Sequence, residues 1–372
     1  LARFRARFPI LGRRVYVNSC SQGALSLDVE AAMGRFLAVW HEQGSPWDVW
    51  VGEVEALRAE FAAAIGAAED EVAVLPNAST AIAALATSLP FDGPRREVVL
   101  SGFEFPTNAH VWQAQARRGA EIVWAGTPED AVLPAARVVE CIGPRTAIVP
   151  LTHVCFRNGY RMDLPPIVAA CRDAGALVLL DDYQHTGTAP IDVKALGVDA
   201  LVTGTLKYLL GPPGIALLYL RRELQARYEP LITGWFGRVN PFQFALAPLD
   251  WSDAARRLET GSPPVPTAYG ALAIQPMLML ARDLGRVNYF DEKKERELLD
   301  LKQKWGWADP RNTPEYKNCD ICANDIFRDS WKQSGVERHA FEAPPGIEIV
   351  EQLAARGTHV ARQQHEQRAE RE

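Results

Sequence analysis

Apolar positions recur with two periods along this chain. Over residues 27–40 and 47–65 they fall at helical spacing; Val29, Met33, Phe36, Leu37 and Trp40 mark one face of the first segment, and Gly66 is placed to end the second. Residues 15–18 read as a short strand and 19–23 as a loop. Short apolar runs at 71–75, 97–100, 121–124, 146–151, 178–180 and 200–202 then read as strands, with helical patterns at 81–88 and 164–173 between them. Gly175 breaks the second of these helices before the strand at Val178. This alternation over residues 71–219 predicts an α/β fold with a largely parallel, doubly wound sheet. After Tyr219 the rhythm changes. Residues 233–237 and 241–244 are aromatic loop material, 258–266 form a stiff turn, and 268–284 form a long apolar helix. No repeat of fixed period is present.

Polar clusters follow the strand ends repeatedly, where an open α/β sheet builds its site. The run Val178-Leu179-Leu180 stops at Asp181 and Asp182, and Ala200-Leu201-Val202 leads through Thr203-Gly204-Thr205-Leu206 to Lys207. A single buried acid or lysine is more often structural, paired with a neighbour. One of each, both at strand ends, points to a site. Pro76-Asn77-Ala78-Ser79-Thr80, between a strand and an alanine-rich helix, reads either as an anion-cradling helix start or as a plain N-cap. Phe103 to Asn108 follow the end of another strand.

These groups share one chemical use. Pyridoxal 5'-phosphate carries an aldehyde that needs an amine for a Schiff base, and a pyridine nitrogen that a carboxylate keeps protonated. Its ring takes an aromatic face, and its phosphate takes N–H groups and hydroxyls. Lys207, Asp181, Phe105, Ala78 and Ser79 answer these needs, with Gln184 as a further donor.

Over residues 15–284 the chain resembles the class V aminotransferase family of pyridoxal-phosphate enzymes, which includes cysteine desulfurases, selenocysteine lyases, kynureninases and isopenicillin-epimerase-like proteins. The resemblance rests on Asp181-x-x-Gln184-x-x-Gly187, Pro190-Ile191-Asp192, Gly197-Val198-Asp199 and Lys207-Tyr208-Leu209-Leu210-Gly211-Pro212. It implies the fold-type I architecture: a large domain with a mostly parallel seven-stranded sheet in an α/β/α sandwich, then a smaller α+β domain. On that basis the large domain spans 1–255 and the small one 256–372, divergent or truncated after about residue 284.

The resemblance implies that Lys207 is the Schiff-base lysine and the proton shuttle, Asp181 the pyridinium partner and Gln184 the donor to the ring's phenolic oxygen. Ala78 and Ser79 match the phosphate-binding pair, Thr205 is a further phosphate contact, and Phe105 takes the ring-stacking position. Phe105-Pro106-Thr107 and Gly234-Trp235-Phe236-Gly237 are similar to kynureninase-like members, which adds Trp235 to the cofactor site. Thr260-Gly261-Ser262-Pro263 resembles the segment that reaches a neighbouring subunit's phosphate, so a homodimer with shared sites is implied and Ser262 joins the set. His153 lies in the family's His-Val motif, with a structural and an acid–base reading. Asp182 stands where the family carries a small residue; it either faces solvent or pairs with Arg157. Strand alternation points His185 away from the ring.

Departures narrow the chemistry. Phe156 and Leu206 stand where desulfurases present Asn and His. The arginine segment that grips a substrate carboxylate is not recognisable: residues 348–360 resemble its approach, but 361–372 form a charged tail. Arg256 and Arg257 are the fallback candidates, with a surface role as the alternative.

Composition adds exclusions. The 372 residues are 23% charged and 48% hydrophobic with a net charge of −6, which offers nothing to nucleic acid or an anionic membrane. No apolar stretch approaches a membrane span. The basic start, residues 1–14, lacks the apolar core of a secretory signal, and a chain opening on Leu1 is expected to begin inside a longer product. Six scattered cysteines suggest free thiols in a reducing compartment, and Cys319-x-x-Cys322 alone is weak grounds for a metal, so none is expected. The sequence therefore leads to a cytoplasmic, homodimeric enzyme that joins an amino acid to pyridoxal phosphate and labilises a bond at its α-carbon, by transamination, epimerisation or kynureninase-like hydrolysis. Its rivals are C–S or C–Se lyase chemistry, which needs Cys319 or Cys322 at the cofactor, and a cofactor-binding protein without catalysis.

Overall fold

The structure is a computed structural model that describes residues 5–274. Among the described residues, seven strands form one sheet: β1 (Val72–Leu75), β2 (Glu97–Ser101), β3 (Glu121–Ala125), β4 (Thr146–Thr152), β5 (Leu177–Asp181), β6 (Ala200–Gly204) and β7 (Ala216–Leu220). Their order is β1-β7-β6-β5-β4-β2-β3. Strands β2 to β6 pair in parallel, whereas β7 is antiparallel to both β1 and β6. The antiparallel member follows from its connection. Residues 205–215 contain no helix to carry the chain back across the sheet, so β7 returns beside β6.

Alternation along the strands builds two cores with the sheet between them. Val72, Val74, Val149, Leu151, Val178, Leu180, Leu201 and Leu217 face one layer, with Trp50, Leu57 and Phe61 of helix Trp47–Ile65 and Ile167 of helix Leu164–Ala174. Ala73, Leu75, Val98, Leu100, Leu179, Val202 and Leu218 face the other, with Ile82 and Leu85 of helix Ala78–Ser88 and Trp112 of helix Pro106–Ala114. This is the expected α/β/α sandwich. Register then brings the site together: Thr152 pairs with Asp181, and Asp181 with Val202, so the carboxyl ends of β4, β5 and β6 lie side by side.

Boundaries differ from the sequence reading where a cap decides them. Helix Ala78–Ser88 starts three residues before the expected 81 because Asn77, through Oδ1, accepts the Thr80 N–H at 2.8 Å. Gly66 and Gly175 end their helices in the left-handed conformation, as expected, at φ of 72° and 67°. Residues 15–18 form no strand; Val15 and Val17 face solvent. The helix expected over 268–284 is seen as Val265–Leu272, and its remainder lies outside the described residues. So do the body of the small domain, the segment at 348–360 and the Cys319–Cys322 pair. Cys20, Cys141, Cys155 and Cys171 are free thiols.

The outer edge of β1 is closed by a buried ion pair instead of another strand. Arg58 Nη1 donates to Val72 O at 2.5 Å and to Glu259 Oε1 at 2.8 Å, and that same oxygen accepts the Val74 N–H at 2.9 Å. The edge peptide groups are thus satisfied by side chains, and the turn at Ala255–Leu258 is held to β1. Burial works against charge on Arg58, but Glu259 and Glu55 overcome it and raise its pKa. Glu259→Ala leaves a buried guanidinium and an unpaired Val74 N–H, and we expect it to cost about 3–5 kcal/mol in urea unfolding.

Candidate active site

Lys207 sits on a turn that the chain braces from three sides. The Gly23 N–H donates to Leu206 O at 2.6 Å, and a Cβ on Gly23 would lie 2.5 Å from Lys207 O. A Cβ on Gly187 would lie 2.8 Å from the Tyr208 carbonyl, and that glycine has a φ of 93°. Thr205 closes the third side. Its hydroxyl donates to Pro212 O at 2.8 Å, and its carbonyl accepts the Gly211 N–H at 2.8 Å. Thr205 is fully buried. Its hydroxyl thus braces the lysine turn through Pro212 O, at the position expected from sequence to contact a phosphate.

The lysine ammonium lies between two rings, 5.4 Å from the centre of Phe105 and 4.7 Å from that of Tyr183. Phe105 meets Phe156 edge-on at 5.1 Å. Burial lowers the Lys207 pKa, against opposition from Asp181 and Cys20. Asp181 is buried at the end of β5, where one oxygen accepts the Tyr183 N–H at 3.1 Å. Desolvation pushes its pKa up to about 6, although the Tyr183 N–H and Lys207 pull the other way and Asp182 adds to the rise. Burial, with Asp181 nearby, also drives the Tyr183 phenol up to about 12. An amine that desolvation tends to neutralise thus faces a carboxylate with little compensation.

Asp182 takes the opposite side of the chain. It does not face solvent or pair with Arg157, whose guanidinium donates to Gly102 O at 2.8 Å. Asp182 is fully buried, and Oδ1 meets His153 Nδ1 at 2.6 Å while Oδ2 meets His185 Nδ1 at 3.3 Å and the Thr186 hydroxyl at 2.5 Å. The two imidazoles lie 4.0 Å apart. Desolvation opposes charge on Asp182, but these hydrogen bonds hold its pKa below the usual value. Desolvation lowers that of His153. Arg161 Nε donates to His153 Nε2 at 3.4 Å, which fits a neutral ring with its proton on Nδ1. The cluster satisfies Asp182 and both ring nitrogens of His153, the structural one of the two readings of His153, and leaves His185 Nε2 buried without a partner.

The other expected residues divide. Gln184 Nε2 donates to Cys20 O at 3.1 Å, and its Oε1 is buried without a partner. Ala78 and Ser79 open their helix; Asn77 takes the Thr80 N–H, and no hydrogen bond among the described residues takes the first two N–H groups. The Ser79 hydroxyl donates to Thr107 Oγ1 at 3.4 Å. Pyridoxal phosphate fits an open helix start, an uncompensated carboxylate and an amine beside two rings, whereas the Gln184 NH2 expected to reach the phenolic oxygen donates to Cys20 O. Trp235 packs in a cluster with Trp47, Phe236, Phe242 and Phe244. Ser262 is exposed in the turn beyond Thr260. These two segments hold each other. Phe236 N–H donates to Thr260 O at 3.2 Å, and Cβ atoms on Gly234 and Gly237 would lie 2.2 Å from Thr260 O and 2.7 Å from Glu259 O.

Sequence reasoning missed Tyr183, Glu104 and the reach of the N-terminal loop. Tyr183 had one available signal, Gly204: its missing Cβ makes room for the phenol, which would stand 2.1 Å away.

A family model described as Aminotransferase class-V matches residues 48–295. The chain is 37% identical over 276 residues to the uncharacterized aminotransferase YcbU of Bacillus subtilis, covering 74% of this chain and 72% of that one. It is 31% identical over 255 residues to kynureninase of Burkholderia mallei, covering 65% of this chain and 60% of the kynureninase, so it spans less than two thirds of that relative. A solved complex of the cystine C–S lyase C-DES with its product cysteine persulfide matches the fold with a TM-score of 0.68 at 23% identity, over 74% of this chain and 75% of that chain.

The pKa of Asp181 carries a consequence for stability. In the protein without a ligand, the folded state holds this proton up to about pH 6, whereas the ordinary carboxyl value is 3.8. Stability therefore falls as pH rises from about 4 to 6 and stays lower above that window. We expect Asp181→Asn to match the wild type at pH 4 and to exceed it by about 2–3 kcal/mol at pH 8 in urea unfolding.

Proposed function

The chain belongs to the aminotransferase class-V family of pyridoxal-phosphate enzymes, and on that premise we propose that it acts on the α-carbon of an amino acid as a cytoplasmic homodimer. The observation that carries this reading is the pairing of Lys207 and Asp181 at neighbouring strand ends, the amine set between the Phe105 and Tyr183 rings. When bound, pyridoxal phosphate supplies an electron sink for charge that develops at the α-carbon. The chain's residues do the rest. The open N–H groups of Ala78 and Ser79 would hold the phosphate. Phe105 would cover the ring with Gln184 beside it, and Asp181 would keep a proton on the ring nitrogen. Lys207 Nζ, biased toward its neutral form by burial, would hold the aldehyde carbon and would move a proton at the α-carbon.

The kynureninase relative and the Phe105-Pro106-Thr107 pattern support transamination, epimerisation or kynureninase-like hydrolysis over desulfuration. One observation favours C–S lyase chemistry as a second reading. Cys20 lies within electrostatic reach of Lys207, and its carbonyl holds Gln184. A persulfide found on Cys20 after incubation with cysteine, or free cysteine persulfide released from cystine, selects that reading, and the absence of both removes it.

A shared-site homodimer is supported by the apolar face of residues 231–249. Leu231, Val239, Phe244, Leu246 and Leu249 are more than half exposed beside the joined Gly234 and Thr260 segments. Sedimentation at micromolar concentration is expected to give the mass of a dimer. Among the described residues no helix is long and apolar enough to cross a membrane.

The test is an absorbance scan of the protein loaded with pyridoxal phosphate during titration with a panel of amino acids. We expect a visible band that Lys207→Ala abolishes and that at least one amino acid changes with formation of product. A band indifferent to every amino acid would leave a cofactor-binding protein without catalysis. No Lys207-dependent band would remove the reading altogether.

A further inference from the structure

A third carboxyl lies buried at the same end of the sheet, and the chemistry above does not use it. Glu104 precedes the stacking Phe105 and is almost wholly buried. Three donors converge on it: the Ser101 hydroxyl to Oε1 at 2.6 Å, the Thr152 N–H to Oε1 at 3.2 Å, and Asn108 Nδ2 to Oε2 at 2.7 Å.

The direction of these bonds is imposed from outside. Trp112 Nε1 can only donate, and it donates to Asn108 Oδ1 at 3.0 Å, which turns the Asn108 NH2 toward Glu104. Thr152 N–H is likewise donor-only. Ser101 Oγ accepts the Phe103 N–H at 3.2 Å and keeps its own proton for Glu104, although it alone could accept in return. The cradle is therefore cut for a carboxylate, with one place, Ser101, where a neutral acid could donate.

Thr152, which holds Glu104, is the register partner of Asp181. Among the described residues, Asp181 is the charged group that acts on Glu104. Arg157 is committed to Gly102 O, and Lys207 and Asp182 act on Asp181. We propose that Glu104 is a positioning residue for the cofactor site: a second buried carboxyl that, through Thr152 and the field of its charge, sets how firmly Asp181 holds a proton on the ring nitrogen. This rests on the proposed cofactor.

Burial raises the pKa of Glu104 to about 7, with Asp181 adding to the rise and the three donors opposing it. Its charge thus changes in the neutral range. Below that range Asp181 acts alone. Above it a second negative charge strengthens the hold on the ring proton. The two carboxyls titrate as a coupled pair.

Two measurements test this. The first needs no cofactor: carbon-13 titration of the labelled carboxyl groups in the purified protein. Asp181→Asn is expected to lower the Glu104 midpoint by about one pH unit, because a like charge is removed. Ser101→Ala is expected to raise it, because a donor to the charged form is removed. A Glu104 midpoint that Asp181→Asn leaves unmoved overturns the coupling. The second follows the absorbance of the bound cofactor against pH. Glu104→Gln, or Ser101→Ala if that variant does not fold, is expected to move the midpoint of ring-proton loss down by about one pH unit, and Glu104→Asp to restore part of the shift. An unmoved midpoint in a folded variant overturns the proposal. If the wild type takes up no pyridoxal phosphate, the proposed function fails, and the first measurement still decides whether Glu104 and Asp181 are coupled.

Discussion

Three carboxyl groups, Glu104, Asp181 and Asp182, are buried at one end of this sheet. Taking a carboxylate out of water costs several kcal/mol unless donors or cations replace the solvent. Much of the local structure is the answer to that cost. Asp182 collects two imidazoles and a hydroxyl; Glu104 collects a hydroxyl, an amide and a backbone N–H. Asp181 collects one backbone N–H and the more distant Lys207. The parallel register of β4 and β5 sets Thr152, which holds Glu104, beside Asp181, and Asp181 is coupled in turn to Asp182.

The position of Lys207 is a backbone problem. The chain leaves β6, turns without a helix and enters antiparallel β7 within a few residues. Leu210 takes a left-handed conformation, φ 59°, at a cost of about 1–2 kcal/mol for a residue with a Cβ. Its N–H reaches Lys207 O at 3.1 Å. Gly23 and Gly187 allow two other segments to press on the same turn, and a side chain on either would push them apart. The lysine is therefore aimed by close packing of main chain.

Much of this was legible beforehand because local pattern and chemistry coincided. Apolar runs ending in Asp181 and leading to Lys207 marked strand ends, and the Asn77-Ala78-Ser79 start marked an open helix terminus. Antiparallel β7 was not legible, since an apolar run does not state its direction; only the missing crossover helix does. Thr205 was read as a phosphate contact because a hydroxyl near a site looks available, whereas its partner, Pro212 O, is visible only once the turn is folded. Asp182 was assigned to solvent or Arg157 because its histidines come from two different segments. Glu104 left no trace, as its donors lie on three elements.

Adjacent residues Asp181 and Asp182 then acquire opposite meanings from one fact, the alternation of side chains along an extended chain. Alternation sends Asp182 to the side of His153 and His185, where hydrogen bonds within the fold hold its carboxylate. It sends Asp181 to the side of Phe105 and helix Ala78–Ser88, where Lys207 is the nearest cation and itself tends to lose its proton. A carboxylate held by hydrogen bonds on one face and a deficit on the other is the arrangement a site needs if its missing positive charge is to arrive with a ligand. On the proposed function, a protonated ring nitrogen would supply that charge where the deficit lies. Filling the deficit with a protein cation would stabilise the empty fold and remove the reason for the ring to stay protonated.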